Sequence, residues 1–403
     1  EKPTKVYIGF DPTSDSLHVG SLVPIMILAH LQRAGHTPVA LIGGATAMVG
    51  DPSGKSKERN LLTAKEIQYN MFGIRKQLQR FLDFESEDNA AVIVNNAEWL
   101  GKFNLLDFIR DIGKMVTVNT MMTKESVKKR IETGISFTEF TYQLLQGYDF
   151  LHLFKTIDCE IQAGGSDQWG NITTGTEMIR KELGKSAYAF TCPLVTKSDG
   201  GKFGKTEQGN VWLDPKRTSP YAFYQFWLNT SDEDATKYIK LFTMLDRKVI
   251  EDLITAHQQE PHHRALQKKL AENITTTVHG QEGIQKAERA TKLLFGKSER
   301  SDLDVFTAQE LSQIFDGMPQ FELAEDILEN GLSMDEMLSG VTAICESKSD
   351  ARRALKENSI QVNKKRISLD YVCTKKDIMS NGIILIQRGK KKYFLVTVVK
   401  KPE

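Results

Sequence analysis

Two short apolar runs, Lys5 to Phe10 and Pro38 to Ile42, flank a helical stretch from His18 to Ala34 that closes on Gly35. Runs this short without polar alternation suit strands buried on both faces, the condition of a parallel sheet. The stretch between them carries helical periodicity, and a glycine after the last periodic residue is a common C-terminal cap. A strand–helix–strand unit of this kind points to an open α/β sheet, which takes its ligands where strands end at the carboxyl edge. Further strands are predicted at Ala91 to Asn95 and at Glu160 to Ala163, the latter running into Gly164-Gly165.

Chemistry gathers at those strand ends. The first run leads into the turn-rich segment Asp11-Pro12-Thr13-Ser14-Asp15-Ser16-Leu17-His18-Val19-Gly20-Ser21. Gly9 and Gly20 let a flat ring or a phosphate approach the backbone. His18 opens a helix, where unpaired amides and the dipole favour anions, and Thr13 offers a hydroxyl nearby. Much later in the chain comes Gly201-Lys202-Phe203-Gly204-Lys205-Thr206, a short loop with two lysines beside glycines. The first segment reads as a rigid wall and the second as a mobile cationic lid, and together they describe a nucleotide site. Asp167, after Gly164-Gly165-Ser166, can accept hydrogen bonds from both hydroxyls of a ribose, and Gly165 leaves room for the sugar. Tyr142, Gln146 and Asp149 fall at i, i+4 and i+7, hence on one face of one helix.

Composition sets limits. The 403 residues suffice for two or three domains,. Lysine plus arginine (53) balances aspartate plus glutamate (52), so any basic surface must be local. No stretch approaches the ~20 apolar residues that cross a bilayer as a helix. The cysteines Cys159, Cys192, Cys345 and Cys373 form no CxxC pair, which suits a reducing cytosol and argues against a cysteine-based zinc site,. The start lacks an initiator Met and a signal-peptide pattern, which points to a truncated chain.

From about residue 219 the texture turns helical and charged, as in Arg247 to Gln258 and His263 to Asn273. The division expected is 1–220, 221–325 and 335–403, with a linker near 319–335. The last part is basic, with Arg352, Arg353 and Lys356 at helical spacing, compatible with one face that meets RNA phosphates.

The segment Asp11 to Ser21 resembles the HIGH motif of class I aminoacyl-tRNA synthetases, and Lys202 to Thr206 resembles their KMSKS loop. The surrounding sequence is closer still to bacterial-type tyrosyl-tRNA synthetases. It includes Gly43-Gly44-Ala45-Thr46, Gly50-Asp51-Pro52-Ser53-Gly54, Ile135-Ser136-Phe137-Thr138-Glu139-Phe140 and Gly164-Gly165-Ser166-Asp167-Gln168-Trp169-Gly170-Asn171. One departure is visible: Ser21 stands where the motif usually has a second histidine.

The resemblance implies a Rossmann-like α/β catalytic domain, then a helical domain on the anticodon side and a small α+β S4 RNA-binding domain. It implies a tyrosine–tRNA ligase that forms tyrosyl-adenylate from ATP and L-tyrosine and passes tyrosine to tRNA(Tyr). Thr13 and His18 would contact the γ-phosphate and transition state, with Lys55 and Arg59 on a second mobile loop and Lys202 and Lys205 as cationic donors. The ATP site would comprise Gly9, Asp11, His18, Gly20, Ser21, Gly165, Asp167, Lys202, Lys205 and Thr206. Tyr7 and Asp149 would meet the substrate hydroxyl. Asp51, Tyr142 and Gln146 would hold the ammonium, and Gln168 would lie near the carboxylate. Mg2+ would enter only as the counter-ion of ATP, with no protein-held metal or prosthetic group. Residues 95–140 would form a homodimer interface, and the enzyme would be cytoplasmic. Two alternatives stand beside this reading: a tryptophan-activating relative, and an RNA-binding protein with a decayed synthetase site.

Overall fold

The computed structural model describes residues 2–53, 62–131, 134–201, 203–206, 209–295, 299–315, 318–389 and 392–399. Two compact units emerge, Glu1–Thr218 with Phe226–Val278, and Ser219–Gln225 with His279–Glu403. The helical stretch expected at 221–325 is shared between them.

The first unit is built on β1 (Lys5–Phe10), β2 (Thr37–Ile42), β3 (Val92–Asn95), β4 (Cys159–Gly165) and β5 (Tyr188–Cys192), all parallel, in the order β3-β2-β1-β4-β5. Val6, Val39 and Ala40 are fully buried, as helices on both faces demand,. From β1 the chain winds outward in one direction, and from β4 in the other. The direction reverses between β1 and β4, and the crevice over their carboxyl ends is where a sheet of this kind binds ligands. Both signature segments meet there, with the later one entering the short antiparallel pair β6 (Lys205–Thr206) and β7 (Gly209–Asn210).

The first helix differs from expectation. A 3-10 turn at Val19–Ser21 precedes α1 (Leu22–Arg33), so the helix proper does not begin at His18. His18 is extended (φ −121, ψ 170) because its ring caps the turn instead of joining it. Gly35 (φ 89) closes α1 as predicted. Next comes α2 (Ala64–Leu78), which opens with a reciprocal Thr63–Glu66 capping box,. α3 (Phe137–Ile157) starts on the Ser136 cap and stops at left-handed Asp158, and α4 (Trp169–Leu183) packs along it. Farther on lie α5 (Asp232–Phe242), α6 (Arg247–Gln259) and α7 (Ala265–Phe295), the last broken by non-helical Gly280.

In the second unit, β8 (Gln320–Ala324) forms one edge of a five-stranded sheet. A short pair, β9 (Leu332–Ser333) with β12 (Val372–Cys373), lies apart from it. The remaining strands are β10 (Ile360–Val362), β11 (Lys365–Arg366), β13 (Ile383–Arg388) and β14 (Lys392–Val399), in the order β11-β10-β13-β14-β8. The stretch near 319–335 is therefore not a linker. β8 pairs in parallel with β14, and its Phe321 and Leu323 join the core beneath α8 (Lys348–Lys356). Two apolar residues among charges gave too weak an alternation to announce a strand.

Candidate active site

The first signature segment is hydrogen-bonded to residues 211–213, which follow the second and are tied to it where the Val211 amide donates to the Gly204 carbonyl at 3.1 Å. The amide of Val19 donates to the Val211 carbonyl at 2.9 Å, and that of Leu213 to Leu17 at 2.9 Å, with His18 and Trp212 forming the bridge between. Gly204 is left-handed (φ 78), and a Cβ there would stand 2.6 Å from Val19 Cγ2 and 3.4 Å from the Gly20 nitrogen. Only glycine lets the later loop lie this close to the earlier turn. Phe203 anchors the loop from behind, its ring stacked on Phe242 at 5.2 Å and tilted against Trp227 and Tyr238.

His18 faces the cavity with a defined tautomer. Its Nδ1 accepts the Gly20 amide at 3.0 Å, so in the neutral ring the proton sits on Nε2, which makes that nitrogen the donor,. Thr13, Ser21 and Lys205 line the same cavity.

At the inner end of the cavity, Asp149 is 2 % exposed. Its Oδ1 accepts from Trp99 Nε1 at 2.7 Å and its Oδ2 from Asn96 Nδ2 at 2.9 Å. Burial lifts this carboxyl to about 7, while the bonds from Asn96 and Trp99 pull the other way,. The Tyr7 hydroxyl, also buried, has no hydrogen-bond partner among the described residues. Burial, and then the neighbouring Asp149, hold its phenol well above the usual range, so it stays a donor. An uncompensated buried hydroxyl costs about 1–3 kcal/mol. Beside an anchored carboxylate, it marks a place for one more hydroxyl, which can donate to Asp149 and accept from Tyr7.

Above this pair the polar side chains are connected. Asn96 Nδ2 reaches Thr46 Oγ1 at 3.0 Å, Thr46 donates to Asp11 Oδ1 at 2.8 Å, and Tyr142 Oη donates to Asp11 Oδ2 at 2.8 Å. Asp51 accepts from Gln168 Nε2 at 2.7 Å and from the Ser53 amide at 3.0 Å. The Gln146 Oε1 is buried without a hydrogen-bond partner among the described residues. Carboxylate, phenol and amide oxygens so placed suit a cation such as an α-ammonium. On the β4 side, a Cβ at Gly165 would fall 2.5 Å from Asp167 Oδ1, so the residue keeps the approach to that carboxylate clear.

The cavity measures about 1000 Å³. It brings together Tyr7, Gly9, Asp11, Thr13, His18, Gly20, Ser21, Asp51, Tyr142, Gln146, Asp149, Gly165, Asp167, Gln168 and Lys205. Lys55, Arg59 and Lys202 lie outside the described residues, and of Thr206 only the backbone in β6 is described. Arg352, Arg353 and Lys356 belong to α8 of the second unit, where Arg352 bonds Asp335 and Arg353 bonds Asp350, each at 2.8 Å. Sequence reasoning missed Thr46, Asn96, Trp99 and Trp212. Asn96 directly follows β3, and a polar residue at a carboxyl strand end was the available signal.

The family model for class I tRNA synthetases (W and Y) matches residues 1–296, and the model for the tyrosine–tRNA ligase SYY-like C-terminal domain matches residues 310–396. The tyrosine–tRNA ligase of Flavobacterium johnsoniae is 55% identical over 402 residues, which cover 98% of this chain and 93% of that one. The chain belongs to the class I tyrosyl-tRNA synthetases. Its likeness to the Bacteroides thetaiotaomicron tyrosine–tRNA ligase is 53% over 396 residues, covering 97% of this synthetase and 92% of that one. Among solved structures, the C-terminally truncated mitochondrial tyrosyl-tRNA synthetase of Aspergillus nidulans superposes with a TM-score of 0.64 at 31% identity. The match covers 73% of this chain and 86% of that chain. The synthetase keeps Ser21 at the cavity wall, where the motif usually has its second histidine.

Proposed function

We propose that this tyrosine–tRNA ligase runs its activation step inside the 1000 Å³ cavity, with the amino acid's ring at Tyr7 and Asp149 and the triphosphate between His18 and Lys205. The observation that carries the reading is the Tyr7 hydroxyl, buried and without a hydrogen-bond partner among the described residues, beside a carboxylate gripped by Asn96 and Trp99. A phenol satisfies both groups. An indole or a bare phenyl ring leaves at least one of them unpaired, and tyrosyl-tRNA synthetase is the standard example of such rejection, at ~10⁵ against phenylalanine.

The chemistry needs little beyond placement. The attacking carboxylate is already an anion, so no general base takes part. Its oxygen attacks the α-phosphorus of ATP and pyrophosphate leaves with the electron pair. Asp51, Tyr142 and Gln146 hold the ammonium and Gln168 lies by the carboxylate, while Asp167 takes the ribose hydroxyls over Gly165. Gly9, Asp11, Gly20, Ser21 and Thr206 complete the ATP site. Charge building on the phosphates is met by Thr13, His18 Nε2–H and Lys205, with Lys55, Arg59 and Lys202 assigned as further cationic donors. ATP enters with Mg2+ as its counter-ion. A ribose hydroxyl of the 3′-terminal adenosine of tRNA(Tyr) then attacks the adenylate carbonyl, losing its proton as the acyl–phosphate bond breaks and AMP leaves with the electron pair.

We assign residues 1–220 to catalysis, 221–325 up to the start of β8 to the anticodon side, and 335–403 together with β8 to an S4-like RNA-binding domain with Arg352, Arg353 and Lys356. A homodimer through residues 95–140 is supported by the exposed apolar side chains of Leu105, Leu106, Ile109, Val118 and Phe137,. Among the described residues no helix is long and apolar enough to cross a membrane, and a cytoplasmic setting fits the reaction.

ATP–pyrophosphate exchange tests the assignment. Exchange that depends on tyrosine, and not on tryptophan or phenylalanine, supports it. Exchange driven by tryptophan, or none with any amino acid, contradicts it.

A further inference from the structure

Four side chains form a line from the surface to the catalytic histidine. Arg217 pairs with Asp15 at 2.5 Å, and its guanidinium carbon lies 4.6 Å from the centre of the Trp212 ring. Trp212 lines the cavity and meets the His18 ring at 75°, centroid to centroid 6.1 Å. The backbone around them is fixed on both sides. Trp212 donates its amide to Thr218 Oγ1 at 2.9 Å, and Asp214 donates its amide to Ser16 Oγ at 3.1 Å, an oxygen that also accepts Gln77 Nε2 at 2.9 Å. Residues 211–218 thus form a strap that leaves the base of the lysine loop and clasps the turn carrying His18.

From this geometry we infer that Trp212, held by Arg217, is a positioning residue for the activation step: it fixes the His18 imidazole, and with it the direction of the Nε2–H bond. The inference rests on the proposed activation chemistry. An indole against the imidazole, edge to face, restrains tilting of the ring about its Nδ1 contact,. The indole in turn would be free to rotate toward the cavity. A guanidinium on its face, itself held by a carboxylate, prevents this. Arg217 is 39% exposed and Asp15 26%, and a pair that open contributes little to folding stability by itself,. Its value lies in orienting the ring it covers.

The strap also explains why the two signatures stay in register. Gly204 and the backbone of Val211 and Leu213 touch the turn directly, and Trp212 is the side chain between them that reaches the reacting end. Loss of the indole should therefore slow the ATP-dependent step and leave the amino-acid pocket, with its own network through Asp11, Asn96 and Asp149, undisturbed.

Single-turnover formation of tyrosyl-adenylate, with tyrosine affinity measured separately, tests this in wild type, Trp212→Ala, Trp212→Phe and Arg217→Ala, and with Trp212→Ala repeated in a His18→Gly background. Trp212→Ala should lower the rate about tenfold while tyrosine affinity stays within about twofold. Trp212→Phe should recover most of the loss, and Arg217→Ala should cost about threefold. In the His18→Gly background the same Trp212→Ala change should cost less than about twofold, because nothing is left to position. An equal loss with and without His18 overturns the inference, since the indole would then act on ATP itself. A parallel fall in tyrosine affinity overturns it as well, by making the role structural. Arg217→Ala, a change at a half-exposed side chain, keeps the test open if Trp212→Ala does not fold. Wild-type turnover in the same experiment separates these outcomes from a failure of the activation reading.

Discussion

Trp99 Nε1 donates to Asp149 Oδ1 at 2.7 Å, across 50 residues of sequence and with both groups buried. The bond aims one carboxylate oxygen while the other is held by Asn96. Replacing Trp99 by Phe keeps the ring and removes the donor. Hydrogen bonds to charged groups are worth about 1.5–3 kcal/mol, so tyrosine affinity should fall roughly 10- to 100-fold with ATP affinity little changed. Equilibrium binding of each substrate to Trp99→Phe checks this.

The same carboxyl gives tyrosine binding a pH dependence. Burial places Asp149 at about 7 instead of 3.8. Between those values the folded chain keeps a proton that the unfolded chain has released, so this group's contribution to stability falls as pH rises from 3.8 to about 7,. A substrate hydroxyl donates best to the ionised form. Tyrosine affinity should therefore rise with pH and level off above about 7, changing at most tenfold per unit below it,. Calorimetric titrations from pH 6 to 8 should show that slope in wild type and none in Asp149→Asn.

Much of this was legible in the chain and part was not. Strands β1 to β4, the glycine cap of α1 and the shared helix face of Tyr142, Gln146 and Asp149 all follow from periodicity and capping chemistry, which act locally. The pairing of residues 17–19 with 211–213 is long-range, and only the common chemistry of two lysines and a histidine hinted at it. Asn96 carried a sign, a polar residue just after a predicted strand, but Trp99 had none, because its role depends on β3 ending beside α3, a matter of packing. β8 escaped for a related reason, since Phe321 and Leu323 become a strand only when β14 offers an edge.

Gly204 carries two constraints at once, a positive φ and a position where a Cβ would stand 2.6 Å from Val19 Cγ2. Gly204→Ala should cost about 1–3 kcal/mol of local strain, released by moving the loop away from the turn. The expected result is a slower activation step with near-normal tyrosine binding, read by stopped-flow fluorescence alongside thermal denaturation.

Arg130 and Glu139 form a pair that is 5% and 2% exposed, joining the end of the 95–131 segment to the first turn of α3. Removing one member of such a pair strands a buried charge, at about 3–5 kcal/mol. Glu139→Ala should therefore lower the denaturation midpoint far more than Glu177→Ala, whose pairs with Arg180 and Lys181 lie on the surface of α4.

The account depends on His18 and Lys205 acting on one triphosphate from opposite segments. The most direct test is the single-turnover rate of tyrosyl-adenylate formation in His18→Asn and Lys205→Ala, with tyrosine affinity measured in parallel. Each variant should form adenylate about 100-fold more slowly, as expected when one stabilising donor is lost from a transition state, while binding tyrosine as wild type does. A Lys205→Ala enzyme that formed adenylate at the wild-type rate would contradict the convergence of the two segments on ATP.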